Sequence, residues 1–203
     1  THQSNMGRLE DGWEHNVDWQ MQLAATLTLG LWKRPWEDQT QTPWPQLGAF
    51  SAEHFDPEQW RPAFPYFPFF ETTPADAYWA AKIVMRFDRP LLEALVATAG
   101  WDPEPSAYLV DALLERGRRI GVAYIDSLTP LDAFHFDDGQ LCAHDLSIHY
   151  GLAEEGVVRR LDEKGRLLDE TPVGPEGEVC WEAGSSRYTV VRLPTRRAAA
   201  KRD

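Results

Sequence analysis

Residues 134–143 read Phe-His-Phe-Asp-Asp-Gly-Gln-Leu-Cys-Ala. Two apolar arms flank Asp137, Asp138, Gly139 and Gln140. An Asp-Gly step between such arms is a strong hairpin signal, because both residues tolerate the positive φ of a tight turn. The pattern recurs twice downstream. Residues 157–161 and 166–171 flank Asp162 to Gly165, and residues 179–182 and 187–193 flank Ala183 to Ser186. In the last arm Tyr188, Val190 and Arg192 alternate with Thr189, Val191 and Leu193, the period of a strand. Residues 131–193 are expected to form a small antiparallel β region.

Upstream the period changes from two to about 3.6. Thr73 is a good N-cap, Pro74 suits the first helical position, and Asp76 favours the first turn. Tyr78, Ala81, Val84 and Met85 give that helix its stripe. Asp88 opens a second helix with Pro90 in its first turn; Leu91, Leu92, Leu95 and Val96 are its apolar face, and Gly100 stops it. Asp102 and Pro103 open a longer third, with Leu109, Leu113, Ile120 and Tyr124 in line. Glu115, Arg116, Arg118 and Arg119 read as its solvated face. An earlier helix is expected over residues 13–32, its stripe formed by Trp13, Val17, Met21, Ala24, Thr28 and Leu31. From Leu23 onward it is apolar nearly all round, which predicts burial, and Pro35 ends it.

The fold class is therefore α+β. About four helices and a long wrap form a helical domain over residues 1–130, an antiparallel region follows over 131–193, and residues 194–203 are expected to be a disordered basic tail. The wrap is the irregular stretch 34–73, where seven prolines interleave with ten aromatics. That many rings are costly to leave in water, so it is expected to lie ordered on the helices with Trp36, Trp60 and Phe64 buried. The competing reading is a binding surface made by Trp36, Trp44, Trp60 and Tyr66 for glycan or peptide.

Composition narrows the function classes. The chain has 203 residues, 32 of them acidic against 20 basic, for a formal charge of −12. A nucleic-acid partner needs a basic face and is not expected. No apolar run approaches the ~20 residues that cross a bilayer, so a soluble chain without a membrane span is expected. No signal peptide is visible at the start, although the first Met is Met6, so an upstream leader or a longer parent protein stays open and the compartment is unassigned. Cys142 and Cys180 read by default as two buried free thiols, with a bridge as the alternative.

Ionisable residues are densest at His135, Asp137, Asp138, His144, Asp145 and His149. Histidines with carboxylates suit zinc or general-base work. The spacing fits no ligand pattern: His144 and His149 are five apart, although a hairpin would bring His135 near His144. His135, His144, Asp145 and His149 are thus weak metal candidates beside an ordinary polar role. Asp11, Glu14, His15 and Asp18 are explained by the dipole at a helix start. No Gly-x-Gly, Gly-x-Ser-x-Gly or Cys-x-x-Cys occurs, so neither a catalytic residue nor a cofactor is assigned.

One set of phrases is more specific. Residues 28–37 read Thr-Leu-Gly-Leu-Trp-Lys-Arg-Pro-Trp-Glu, and 56–62 read Asp-Pro-Glu-Gln-Trp-Arg-Pro. After Thr73-Pro74-Ala75-Asp76 come Trp79 to Val84, Tyr108 to Asp111, Leu114 to Gly121, Leu128 to Asp132, Asp145-Leu146 and Tyr150-Gly151-Leu152. In this order, over about residues 10–170, they resemble the C-terminal half of a family of uncharacterised bacterial proteins from soil and environmental lineages. The resemblance implies a preceding half that looks like a divergent kinase, with His-x-Asp-x-x-x-x-Asn and Asp-Phe-Gly-Ser-Thr stretches for the base and metal-binding parts of phosphoryl transfer. Neither stretch occurs here. The chain would then be a C-lobe-like fragment with no catalytic residue, partnered by the N-terminal half of its parent. A complete binding module is the competing expectation, and a metal-dependent hydrolase using the hairpin histidines ranks last.

Overall fold

The computed structural model describes residues 12–15, 18–34, 36–37, 41–162, 164–182 and 190–192. The fold is α+β. Among the described residues, four longer helices are α1 (Trp19–Leu27), α3 (Pro74–Val84), α4 (Arg89–Ala97) and α5 (Pro103–Tyr124), and two single turns are α2 (Phe67–Phe70) and α6 (Leu146–His149). The strands described after α5 are β1 (Leu131–Asp137), β2 (Gln140–Asp145), β3 (Val157–Leu161), β4 (Leu167–Pro172), β5 (Glu178–Glu182) and β6 (Val190–Arg192). The chain divides into two compact units, Thr1–Thr73 with Arg86–Arg119, and Pro74–Met85 with Ile120–Asp203. No helix among the described residues is long and apolar enough to cross a membrane.

In the first unit, the Asp88 carboxylate accepts the Leu91 N–H at 3.0 Å and so fixes the start of α4. Four residues apart on that helix, Leu92 and Val96 bury themselves against Val110 of α5, with Leu109, Leu113 and Leu114 around them. Each such side chain contributes about 1.5–3 kcal/mol by leaving water. Leu91 and Leu95, expected on the same face, stay exposed because they sit on its rim.

The charged face of α5 is not merely solvated. The Arg116 guanidinium lies over the rings of Phe50 and Phe55, 3.8 and 4.7 Å from their centroids, and its Nε donates to the Ser51 carbonyl at 2.8 Å. Arg119 donates to the carbonyls of Glu53 and Phe55, both at 3.0 Å. Glu115 accepts from Arg118 and Arg119. The helix therefore holds residues 50–55 by their backbone oxygens, and Trp44 packs on Tyr108 at 5.1 Å.

Beyond that anchor the burial expected of the wrap fails. Trp60 is 43% exposed and Phe64 72%, while Trp36 is half-buried. The reason is that the segment around Trp60 packs on the start of α1, and α1 buries none of its own residues. That helix is also shorter than its stripe implied. Asp18 caps it, accepting from Gln20 N and Met21 N at 3.1 Å each, so it begins at Trp19 rather than Trp13. It ends at Thr28, whose hydroxyl bonds the Ala24 carbonyl at 2.8 Å; Leu29, at φ +53°, then turns the chain away. Leu23 and Leu27, expected inside, lie in water at 59% and 75% exposure. Val17 and Pro35 lie outside the described residues.

In the second unit Ala81 of α3 is fully buried against Ile125 and Leu146, beside Tyr78, Ile120 and Tyr124. Gly121 permits this packing: a Cβ there would stand 2.7 Å from the Met85 sulfur. The β1–β2 hairpin turns at Asp138 and Gly139, whose φ values of +44° and +82° are the positive pair an Asp-Gly turn supplies. The second hairpin joins β3 to β4.

The third hairpin is corrected. Its arms, β5 and β6, lie in different sheets, ordered β1-β2-β5 and β4-β3-β6. Long-range packing decides this: β5 pairs with β2 and buries Val179 and Trp181 with Leu131, Ala143 and Val158. Cys142 and Cys180 stand opposite each other in that ladder, with Cα atoms 4.1 Å apart, and form a disulfide rather than two free thiols. The turn 183–189, the side chains of the last strand and the basic tail lie outside the described residues.

Candidate functional site

Among the described residues of the first unit, a cleft lies beside the start of α1. Its construction begins with Gly12. This residue forms an isolated antiparallel bridge with Arg61, whose N–H donates to the Gly12 carbonyl at 2.9 Å. Gly12 has φ +89°, and a Cβ there would meet the Trp60 Cδ1 and Nε1 atoms at 2.8 Å. Only glycine lets the pyrrole edge of Trp60 lie so close to this backbone.

The next residue ties the wrap to the helix. Arg61 Nη1 lies 3.2 Å from Asp18 Oδ2, while Asp18 Oδ1 caps α1. On the other side His15 donates from Nδ1 to the Pro62 carbonyl at 2.7 Å, which leaves Nε2 of the neutral ring as an acceptor.

Aromatic rings complete the wall. Phe69 of α2 meets Trp60 edge-on at 6.0 Å and Tyr66 edge-on at 5.9 Å. Phe70 tilts against His15 at 6.1 Å. With Trp19 and Gln20 from α1, these groups enclose an open cleft of about 470 Å³, within the ~300–1,000 Å³ usual for small-molecule sites. Its charge is balanced, because Asp18 offsets Arg61. Its surface is aromatic, with Trp19 79% exposed.

The four rings expected as a binding surface separate. Trp60 lines the cleft and Tyr66 reaches it through Phe69. Trp44 lies on Tyr108, and Trp36 lies under the Arg34 guanidinium at 5.7 Å, where Arg34 also bonds Glu14 at 2.6 Å. Sequence reasoning missed Trp19, Gln20, Arg61 and Phe69. Only the chain's return to residue 12 reveals them as neighbours, and no local pattern encodes that return.

The histidines form a row rather than a cage. His135 and His144 stack at 6.4 Å, His144 meets His149 edge-on at 6.4 Å, and His149 rests on Tyr150 at 4.8 Å. His135 Nδ1 is satisfied by the Ala133 carbonyl at 3.0 Å. Asp145 is fully buried and caps α6, accepting from Ser147 N and Ile148 N. Among the described residues no three His, Cys, Asp or Glu side chains converge in a way that could hold a metal ion.

Lys82 pairs with Asp132 and lies 5.5 Å above the Tyr78 ring. Burial first, and then the charge of Asp132, push the Tyr78 hydroxyl up to about 12, so it stays a proton donor at any physiological pH. The group ties α3 to β1 electrostatically.

The chain matches no known protein family, no curated protein and no solved structure.

Proposed function

We propose that this chain is a recognition region without catalytic residues of its own, the C-terminal part of a larger kinase-like bacterial protein. One observation carries the recognition reading. The cleft beside α1 keeps Trp19, Trp60 and Phe69 in water on a frame fixed by a backbone bridge and an ion pair. Contiguous exposed rings on a fixed frame mark binding surfaces, since folding alone would bury them. The carboxylates that invite a catalytic reading have structural work instead. Asp18, Asp88 and Asp145 cap helices, Asp132 holds Lys82, and Glu115 holds two arginines. The kinase-like parentage is supported by the phrases at 28–37, 56–62 and 145–152, and the base and metal ligands of phosphoryl transfer would come from the preceding half.

Calorimetric titration with ATP and magnesium tests this. The chain alone is expected to give no saturable heat at micromolar ATP, and the chain joined to its preceding half is expected to give one. A saturable isotherm from the chain alone would overturn the reading.

A second reading, a complete binding module for glycan or peptide, is favoured by the cleft's mixed lining. Arg61, Gln20 and His15 put polar groups beside the rings, which an interface with the preceding half would not require.

A further inference from the structure

We propose that the cleft beside α1 is a carbohydrate site for a neutral hexose chain, with one sugar ring laid on Trp60 and its hydroxyls on Arg61 and Gln20. The inference rests on the recognition reading of this cleft and names its ligand class.

Three observations select that ligand. The first is the orientation of Trp60. Its pyrrole edge, Cδ1 with Nε1, stands against Gly12, and the partly exposed ring lines the cleft. A pyranose ring with equatorial substituents has flat C–H surfaces that suit an exposed aromatic wall of this kind.

The second is the set of polar groups. Asp18 takes one of the five guanidinium N–H groups of Arg61 and leaves a planar fork that suits two adjacent hydroxyls. The Gln20 side chain is exposed on α1 and both donates and accepts, as hydroxyls do.

The third is charge. Asp18 and Arg61 cancel locally, and the chain carries −12 overall. Both disfavour an acidic polysaccharide.

The test is calorimetry on the whole chain with four probes: cellohexaose, chitohexaose, a hexamer of galacturonic acid and decaproline. Cellohexaose or chitohexaose is expected to bind with a Kd of about 1 mM or tighter. Trp60→Ala is expected to weaken it about tenfold or more. Because that change removes part of the wall, Gln20→Ala, at an exposed helix position, is the second variant and is expected to lose affinity with its circular dichroism unchanged. Trp79→Ala, which removes an exposed indole in the other unit, is expected to leave binding unaltered. Binding of decaproline alone, or of the galacturonic acid hexamer alone, would overturn the neutral-sugar assignment and keep the recognition reading. No binding of any probe by the folded chain would overturn both. So would sugar binding that Trp60→Ala and Gln20→Ala both leave intact.

Discussion

Arg61 and Asp18 meet through a 3.2 Å contact although 43 residues separate them in sequence. The contact joins the aromatic wrap to the cap of α1, so the same carboxylate starts a helix and orients a guanidinium that lines the cleft. Asp18→Ala should remove both effects. The lost cap costs about 1–2 kcal/mol, and the partly exposed ion pair adds at most about 1 kcal/mol. Urea denaturation measures the sum. Asp18→Asn keeps the capping oxygen and should recover most of it, while still releasing Arg61.

The second anchor of the wrap is Arg116, between Phe50 and Phe55. Burial lowers its guanidinium to about 10, which still leaves it charged at neutral pH. Arg116→Ala removes two ring contacts of about 0.5–2 kcal/mol each and leaves the Ser51 carbonyl without this donor. Arg116→Lys should rescue little, because an ammonium cannot present a flat face to both rings. Faster protease cutting within residues 50–56 in both variants would confirm the role.

Glu115 supplies a pH dependence. The hydrogen bond from Arg118 leads the causes that hold its carboxyl down to about 2, against an ordinary 4.5. A depressed acid stabilises the fold fully above its unfolded value and loses that contribution as pH falls through the folded one. The stability difference between the native chain and Glu115→Gln should therefore be constant above pH 4.5 and vanish toward pH 2. Both partners are partly exposed, so solvent screening keeps it below about 1 kcal/mol. A difference that grows on acidification would contradict the assignment.

The Cys142–Cys180 bridge closes a loop with a sequence separation of 38 residues around β3 and β4. Reduction, or Cys142→Ser with Cys180→Ser, should lower stability by about 2–4 kcal/mol. Thermal melting with and without reductant measures this. Native protein that reacts with two equivalents of a thiol reagent before any reduction would contradict the bridge.

The parts of the fold that were legible in the sequence are those governed by neighbours along the chain. Pro74, Asp88 and Pro103 start α3, α4 and α5 where their local chemistry places them. Asp138 and Gly139 turn the first hairpin for the same reason. What was not legible depends on residues far apart. The partners of β5 and β6 are chosen by burial of Val179 and Trp181 across two sheets. Arg116 and Arg119 look like a wet helix face until the carbonyls of 51–55 arrive. Of the candidate cleft, Trp60 was legible only in the competing reading of the wrap as a binding surface, since the leading reading buried it. Its setting depends on Gly12, and no composition or period connects those two positions.

The central claim is that the cleft beside α1 receives a ligand, and indole N–H NMR signals test it most directly. On titration with cellohexaose, chitohexaose or decaproline, the signals of Trp19 and Trp60 should shift progressively and saturate. Those of Trp44, packed on Tyr108, and Trp181, buried in the sheet core, should stay in place. Unmoved Trp19 and Trp60 signals with all three probes, or equal shifts at all four tryptophans, would contradict the account.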